Sequence, residues 1–89
     1  MKDTVILGGG RTGRGFIGRL LTESGIRFTI LDKNRTLIDA LNQKGHYFVK
    51  FFSLRPPVKI DHFEAYETSS PRASEIIKNA KNIFISVSA

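Results

Sequence analysis

The stretch that decides the fold is residues 4–32, TVILGGGRTGRGFIGRLLTESGIRFTILD. It opens with TVIL, an aliphatic and β-branched run that is typical of a strand buried on both faces. From Gly13 onward, apolar residues recur at helical spacing until Gly25, which is a natural helix stop. The run FTIL follows and ends at Asp32. The stretch therefore predicts a strand, a helix and a second strand, a unit of about thirty residues.

The rest of the chain continues this alternation of helices and strands. A second helix is predicted from near Asn34 to Gly45, and a third from Ser70-Pro71, since proline is favoured in the first turn. Residues 82–87 predict another buried strand, and residues 46–68 an antiparallel excursion. In the first predicted helix the apolar residues at helical spacing are Phe16, Ile17, Leu20 and Leu21. The second is expected to bury Leu37, Ile38 and Leu41, and the third to present an apolar face of Ile76, Ile77 and Ala80. The predicted fold class is α/β, a partial Rossmann fold with a doubly wound, mostly parallel sheet and flanking helices.

Composition narrows the functional classes. The chain has 89 residues, of which 40% are hydrophobic and 25% charged, as is ordinary for one small globular domain. The absence of cysteine excludes disulfides, thiolate zinc sites and thiol nucleophiles. No apolar run approaches the roughly 18–20 residues needed to cross a bilayer, so a cytoplasmic protein is expected. The net charge of +6 favours an anionic partner, either nucleic acid or a phosphorylated small molecule.

Residues 8–13, GGGRTG, contain the pattern G-x-G-x-x-G, with Gly8, Gly10 and Gly13 in the fixed positions. The first glycine permits a sharp turn off the strand, the second lets a pyrophosphate approach the backbone, and the third lets the helix pack closely on the sheet. The helix that starts there directs unsatisfied N–H groups at the same spot. Because a predicted strand precedes the pattern and a predicted helix follows it, we expect a dinucleotide site. The alternative is a tight turn without a ligand.

Asp32 ends the second strand about 20 residues beyond the glycines, as the dinucleotide pattern requires. A carboxylate there can accept hydrogen bonds from the adenosine ribose and would repel the extra phosphate of NADP, which favours NAD as the cofactor. Lys33 and Arg35 keep NADP as the less favoured option, because a cation beside the acid can bind a 2′-phosphate. Both cations also fit a solvated helix start. Asp32 is in addition a candidate N-cap of the second helix, and the two roles are compatible.

Other residues near the loop are candidates for the same site. Arg11, Thr12 and Arg14 are predicted to join the cofactor site. For Arg11, Arg14 and Arg19, spacing alone leaves open whether they reach the phosphates or lie on a solvated helix face. The two histidines lack partners at ligand spacing, so no metal site and no catalytic residue are predicted. Core or interface packing is expected, rather than base stacking, for the aromatic residues Tyr47, Phe48, Phe51, Phe52 and Phe63.

The residues that follow the glycine pattern, Arg14-Gly15-Phe16-Ile17-Gly18, are more distinctive than the pattern itself. They resemble the Gly-x-Gly-x-x-Gly-Arg-Gly-Phe-Ile-Gly stretch that opens the polyol-specific long-chain dehydrogenases, the family of mannitol-1-phosphate 5-dehydrogenase. The likeness covers the chain, strongly to about residue 42 and loosely beyond, and continues through Leu20-Leu21, Gly25, Asp32-x-Asn34 and Leu41-Asn42. Two positions depart from it: Gly9 stands where the family usually has alanine, and Arg11-Thr12 replaces a usual Asn-Ile.

The resemblance implies an enzyme that oxidises a sugar alcohol, or its phosphate, to a ketose with NAD. It also implies that Gly8, Gly10, Gly13, Arg14 and Asp32 touch or shape the cofactor site. The family's lysine, asparagine and histidine that handle substrate and proton lie in a helical C-terminal domain, and no segment here matches it. Residues 1–89 are therefore expected to be a truncated N-terminal dinucleotide-binding domain that binds NAD without catalysing.

Two alternatives stay open from the sequence. One is a stand-alone nucleotide-binding regulatory module that acts through a partner, whose open sheet edge would invite self-association. The other is a basic nucleic-acid-binding domain, although no motif of that class is present. For the leading hypothesis the expected partner is NAD(H), joined in a full-length enzyme by a polyol or polyol phosphate. No membrane partner is expected.

Overall fold

A computed structural model of the chain describes residues 3–10, 12–50 and 55–86. The first half holds β1 (Thr4–Leu7), a π-helical segment (Thr12–Ile17) that runs directly into α1 (Gly18–Glu23), β2 (Phe28–Asp32) and α2 (Arg35–Lys44). The second half holds β3 (Tyr47–Val49), β4 (Val58–Ile60), β5 (Phe63–Glu67), α3 (Pro71–Asn79) and β6 (Asn82–Ile85). The α/β fold class is confirmed.

The main sheet has the strand order β5-β2-β1-β6, and its three pairings are all parallel. Ile6 of β1 lies between Ile30 of β2 and Phe84 of β6. Successive strands run from β1 outward to β5, and the chain then returns to the other side of β1. This reversal is the switch point at which open α/β sheets bind ligands.

The antiparallel excursion is confirmed for β3 and β4, which pair with Tyr47 opposite Ile60. It is shorter than the predicted residues 46–68, because β5 lies inside that range and joins the main sheet parallel to β2. The sequence pattern could not distinguish the two outcomes, since a short strand with mixed polarity fits either an edge strand or a ribbon.

The core lies on both faces of β1 and β2, because alternate side chains of a strand point to opposite sides. Ile6, Phe28 and Ile30 are fully buried in a cluster that also takes residues from α1, α2 and β4. Val5 and Leu31 are buried on the opposite face, against α3. The prediction of central strands buried on both faces is confirmed.

The second helix has the boundaries that its terminal residues predict. The side chain of Asn34 accepts a hydrogen bond from the backbone N–H of Leu37 at 3.1 Å, which makes Asn34 the N-cap. Gly45 ends the helix in the left-handed conformation, with φ of 74°. Ile38 and Leu41 are buried and Leu37 is half-buried, as predicted.

Two expectations about burial are wrong. The strand predicted over residues 82–87 is β6, but it lies at the edge of the described sheet and all four of its residues are exposed, Ile85 by 68%. Phe16 and Leu20 have the apolar spacing of a helical face but are 56% and 44% exposed, while Ile77, on the predicted apolar face of α3, is 40% exposed. An apolar run indicates that a surface needs covering, and the local sequence does not say which element covers it.

Among the residues that the structure describes, no helix is both long enough and apolar enough to span a membrane.

Candidate functional site

A crevice of about 730 Å³ opens at the carboxyl ends of β1, β2 and β6, at the switch point of the sheet. The loop after β1 forms one wall, and the end of β2 with the start of α2 forms the other. Its described lining consists of Leu7, Gly8, Gly10, Arg14, Leu31, Asp32, Lys33, Asn34, Leu37, Thr68, Ile85 and Ser86. The structure therefore brings most of the predicted site residues to one concave surface.

Gly8 makes the turn that separates β1 from the loop. Its φ of 105° lies in a region that side chains rarely adopt, and an added Cβ would collide with the backbone carbonyl of Ser86. The Gly8 N–H donates to the carbonyl oxygen of Leu31 at 2.7 Å. Position 8 thus needs glycine for both its conformation and its contact with the strand end of β6.

Gly13 is the second residue of the π-helical segment and packs against the start of the loop that follows β1. A Cβ there would collide with the carbonyl oxygen of Gly8 and would lie 3.1 Å from Cγ2 of Ile6. The carbonyl oxygen of Gly10 accepts a hydrogen bond from the Arg14 N–H at 2.9 Å. The loop is therefore folded back on itself, with backbone atoms in direct contact and no room for a methyl group at position 13.

Asp32 ties the loop to the end of β2. Its Oδ2 accepts a hydrogen bond from the Gly9 N–H at 2.6 Å, and its Oδ1 accepts one from the Asn34 N–H at 2.8 Å. A carboxylate has about four lone-pair sites, so each oxygen can accept a further bond from the crevice side. The N-cap alternative for Asp32 is wrong, because the side chain of Asn34 caps α2.

Gly9 is the first position at which the sequence departs from the polyol dehydrogenases that it resembles, which usually have alanine there. A Cβ at this position would lie 2.9 Å from Cγ2 of Ile30 and 3.2 Å from Cδ2 of Leu37. An alanine would require both side chains to shift. Glycine at position 9 therefore allows the loop to lie directly on β2 and α2, within reach of Asp32.

The candidate arginines are separated by the structure. Arg14 lines the crevice. Arg19 instead forms an ion pair with Glu23 at 2.9 Å and lies over the Phe16 ring, 5.9 Å from its centroid, so it belongs to the outer face of the helix. Arg11 lies outside the described residues, and Thr12 opens the π-helical segment. Residue spacing alone did not show which arginine reaches the crevice. The helix geometry places Arg14 there and Arg19 on another face.

The two cations beside Asp32 also occupy different places. Lys33 lines the crevice, whereas Arg35 does not. Arg35 is 78% exposed, and its Nε lies 3.7 Å from a carboxylate oxygen of Asp39 and 3.9 Å from one of Glu67. The solvated helix start predicted as one alternative therefore fits Arg35.

The histidines lie apart from the crevice. His46 Nδ1 is 3.0 Å from the carbonyl oxygen of Lys44, and His62 Nε2 is 3.5 Å from the carboxylate of Asp61. Within residues 3–10, 12–50 and 55–86, no group of three or more potential ligands could hold a metal ion.

Core packing is observed for two of the five aromatic residues expected to pack. The Tyr47 ring centroid is 5.4 Å from that of Phe63, which in turn stacks on Phe28 at 6.0 Å. Phe48 is largely exposed. Phe51 and Phe52 lie outside the described residues.

Tyr47 makes a contact that the sequence did not reveal. Its hydroxyl donates a hydrogen bond to the carbonyl oxygen of Arg14 at 2.7 Å, across 33 residues of chain. A Cβ on Gly18 would collide with that hydroxyl oxygen. Burial raises the pKa of the Tyr47 phenol well above its ordinary value, against a smaller lowering by the Arg14 charge. In the sequence, the only feature that pointed to this close contact was Gly18, the second glycine of the Gly-Phe-Ile-Gly stretch.

The raised pKa of Tyr47 predicts a pH dependence of stability. The folded chain keeps the phenol proton at pH values where the unfolded chain has lost it, so stability falls as pH rises above the ordinary pKa of 10. Above that pH, the wild type should lose up to about 1.4 kcal/mol of unfolding free energy per pH unit more than Tyr47→Phe. This is an upper limit, because solvent screens the exposed part of the ring. Urea unfolding on either side of pH 10 measures the difference, and equal slopes would contradict the expectation.

The parallel strand order, the crevice at the switch point and the glycine turn together define a partial Rossmann-like fold. The chain is 45% identical over 49 residues to mannitol-1-phosphate 5-dehydrogenase of Lacticaseibacillus paracasei. It is 44% identical over 50 residues to the enzyme of the same name from Streptococcus pneumoniae. These matches cover 55% and 56% of this chain, and the chain spans 13% of the length of each relative. No family model matches the chain.

Proposed function

We propose that the glycine loop and Asp32 form an NAD site. The observation that carries this proposal is the hydrogen bond of 2.6 Å from the Gly9 N–H to the Asp32 carboxylate, which fixes the loop and the acid as one unit at the crevice. A dinucleotide needs a backbone that its phosphates can approach and an acceptor for its ribose. Gly8 and Gly13 hold the loop in a shape that a Cβ would destroy, which fits the first need.

Different residues of the crevice would contact different parts of the cofactor. Gly10 and Arg14 lie on the loop side and would face the paired phosphates, where a guanidinium adds charge-assisted hydrogen bonds. Asp32 lies on the opposite side and would accept the ribose hydroxyls through its remaining lone pairs. NAD, when bound, would supply the hydride chemistry that the chain's own side chains lack.

The surroundings of Asp32 favour NAD over NADP. A 2′-phosphate would lie close to this carboxylate, and like charges at such distances are costly. Arg35 is the cation that would have to compensate, but it is near two carboxylates, those of Asp39 and Glu67. Lys33 remains at the crevice as a single flexible charge.

The activity of the whole protein is proposed from the relatives. They are mannitol-1-phosphate 5-dehydrogenases, and the similarity to them covers over half of this chain. We propose that the chain is the nucleotide-binding region of an oxidoreductase of this kind, which transfers a hydride from a polyol or its phosphate to NAD. We propose that residues outside the matched stretch supply the contacts to the substrate.

Titration calorimetry of the wild-type chain with NADH and with NADPH tests the proposal. We expect NADH to bind about tenfold more tightly or better, because the 2′-phosphate must be placed beside Asp32. The same titration with a short DNA duplex at about 50 and about 200 mM salt tests the nucleic-acid alternative. Equal affinities for the two cofactors would contradict NAD selectivity, and steeply salt-dependent DNA binding without NADH binding would replace the proposal.

A further inference from the structure

Arg14 stands between two cavities. It lines the dinucleotide crevice, and it also lines a second cavity of about 590 Å³, together with Gly15, Tyr47, Phe48, Val49 and Lys50. Its Nε is buried and has no hydrogen-bond partner among the described residues. The side chain is therefore not held by a hydrogen bond at this nitrogen, and the position of its backbone limits where the guanidinium can reach.

That backbone is held from outside the helix. The Tyr47 hydroxyl donates to the Arg14 carbonyl oxygen at 2.7 Å, within a π-helical segment, where the turn is wider than in an α-helix. Tyr47 itself is anchored by its ring, which packs against Phe63. Gly18 leaves the space that the hydroxyl occupies. The β3–β4 ribbon thus braces the turn that carries Arg14.

The charges around Arg14 favour one of the two cavities. Lys50 is the other cation of the second cavity, and no carboxylate is present in the described part of its lining. Two like charges in one cavity repel. In the crevice the charge of Lys33 is offset by the Asp32 carboxylate, and paired phosphates bound there would attract the guanidinium. A small change in the backbone at position 14 would alter which cavity the side chain enters.

We infer that Tyr47 is a positioning residue: its hydroxyl fixes the Arg14 peptide so that the guanidinium meets the pyrophosphate in the crevice. The inference rests on the proposed NAD site. Tyr47 is not itself part of the crevice lining and acts only through Arg14, which is. The antiparallel β3–β4 ribbon thereby has a role in cofactor binding in addition to its role in packing.

Calorimetric titration of four variants with NADH tests the inference, namely Tyr47→Phe, Arg14→Ala, the two combined, and Tyr66→Phe. Tyr47→Phe keeps the ring and removes the hydroxyl, and should lower NADH affinity roughly fivefold, the effect of one hydrogen bond. Tyr47→Phe in an Arg14→Ala background should have almost no further effect, because the hydroxyl then has no side chain to position. The matched control is Tyr66→Phe, which makes the same change on β5, where the ring lies against Arg72 at 5.3 Å, and should leave affinity unchanged.

A second pair of variants separates positioning from folding. Gly18→Ala alone should be destabilising, because its methyl group meets the Tyr47 hydroxyl. In the Tyr47→Phe background that obstacle is gone, and alanine should be tolerated or favoured in the helix. The double variant Gly18→Ala, Tyr47→Phe should thus regain stability in urea and still bind NADH about fivefold more weakly than the wild type. A stable double variant with wild-type affinity would overturn the inference.

The same titrations distinguish the failure of each proposal. If the wild type does not bind NADH, the NAD site itself is wrong and the role of Tyr47 falls with it. If the wild type binds and Tyr47→Phe binds equally well, only the positioning role is wrong. Nuclear magnetic resonance of the ligand-free chain adds an independent readout. Tyr47→Phe should shift the Arg14 Nε–Hε resonance, and an unchanged resonance would overturn the inference.

Discussion

Replacement of Gly13 by alanine should lower the free energy of unfolding by about 3 kcal/mol, near the upper range for forcing a methyl group into packed structure. The new Cβ collides with the carbonyl oxygen of Gly8, and backbone atoms cannot move aside as a flexible side chain can. The loop must open instead. NADH affinity should then fall roughly a hundredfold, the equivalent of losing one or two charge-assisted hydrogen bonds to phosphate.

Gly15 provides the matched control for this experiment. It lies two residues further along the same π-helical segment, and a Cβ there would have no described heavy atom within 4 Å. Gly15→Ala should preserve stability, or raise it slightly through the better helix propensity of alanine, and should preserve NADH binding. Urea unfolding and calorimetry of both variants give the comparison. Equal behaviour of the two would show that the close contact at position 13 does not shape the site.

The first half of the fold could be predicted because its signals are local. Gly8 and Gly13 are required by contacts that the G-x-G-x-x-G pattern encodes directly, and Asn34 and Gly45 end α2 through their own conformations. Strand burial on both faces follows from continuous apolar runs. For these elements a window of a few residues contains the physical cause.

The rest depends on contacts between distant parts of the chain. Tyr47 bonds the Arg14 carbonyl across 33 residues, and no periodicity encodes such a pair. Phe16 and Ile77 have the spacing of core residues, yet the described structure places nothing that fully covers them. Arg14 and Arg19 look equivalent in sequence, but their separation of five residues, which is more than one helical turn, places them on different faces. The glycine loop is therefore predictable from the sequence, whereas the Tyr47 hydrogen bond that holds the adjoining turn is not.

Replacement of Asp32 by alanine should produce the second large effect. The carboxylate accepts hydrogen bonds from the Gly9 and Asn34 N–H groups at 2.6 and 2.8 Å, so its removal leaves two backbone donors without their partner. Bonds to a charged group contribute about 1.5–3 kcal/mol each, and some of the loss is recovered by water because Asn34 is exposed. We expect the free energy of unfolding to fall by about 2–4 kcal/mol.

The same variant should change cofactor selectivity, which a purely structural role would not. Without the carboxylate, NADPH no longer meets a like charge while NADH loses its ribose acceptor, so NADH affinity should fall more than NADPH affinity and the two should converge. Asp61→Ala is the control, since it removes an exposed carboxylate that is not part of the crevice lining, 3.5 Å from His62, and should change neither stability nor selectivity appreciably. Calorimetry with both cofactors on the two variants decides the matter. An Asp32→Ala chain that is destabilised but keeps the wild-type preference for NADH would mean that the carboxylate orders the glycine loop and that another group reads the ribose.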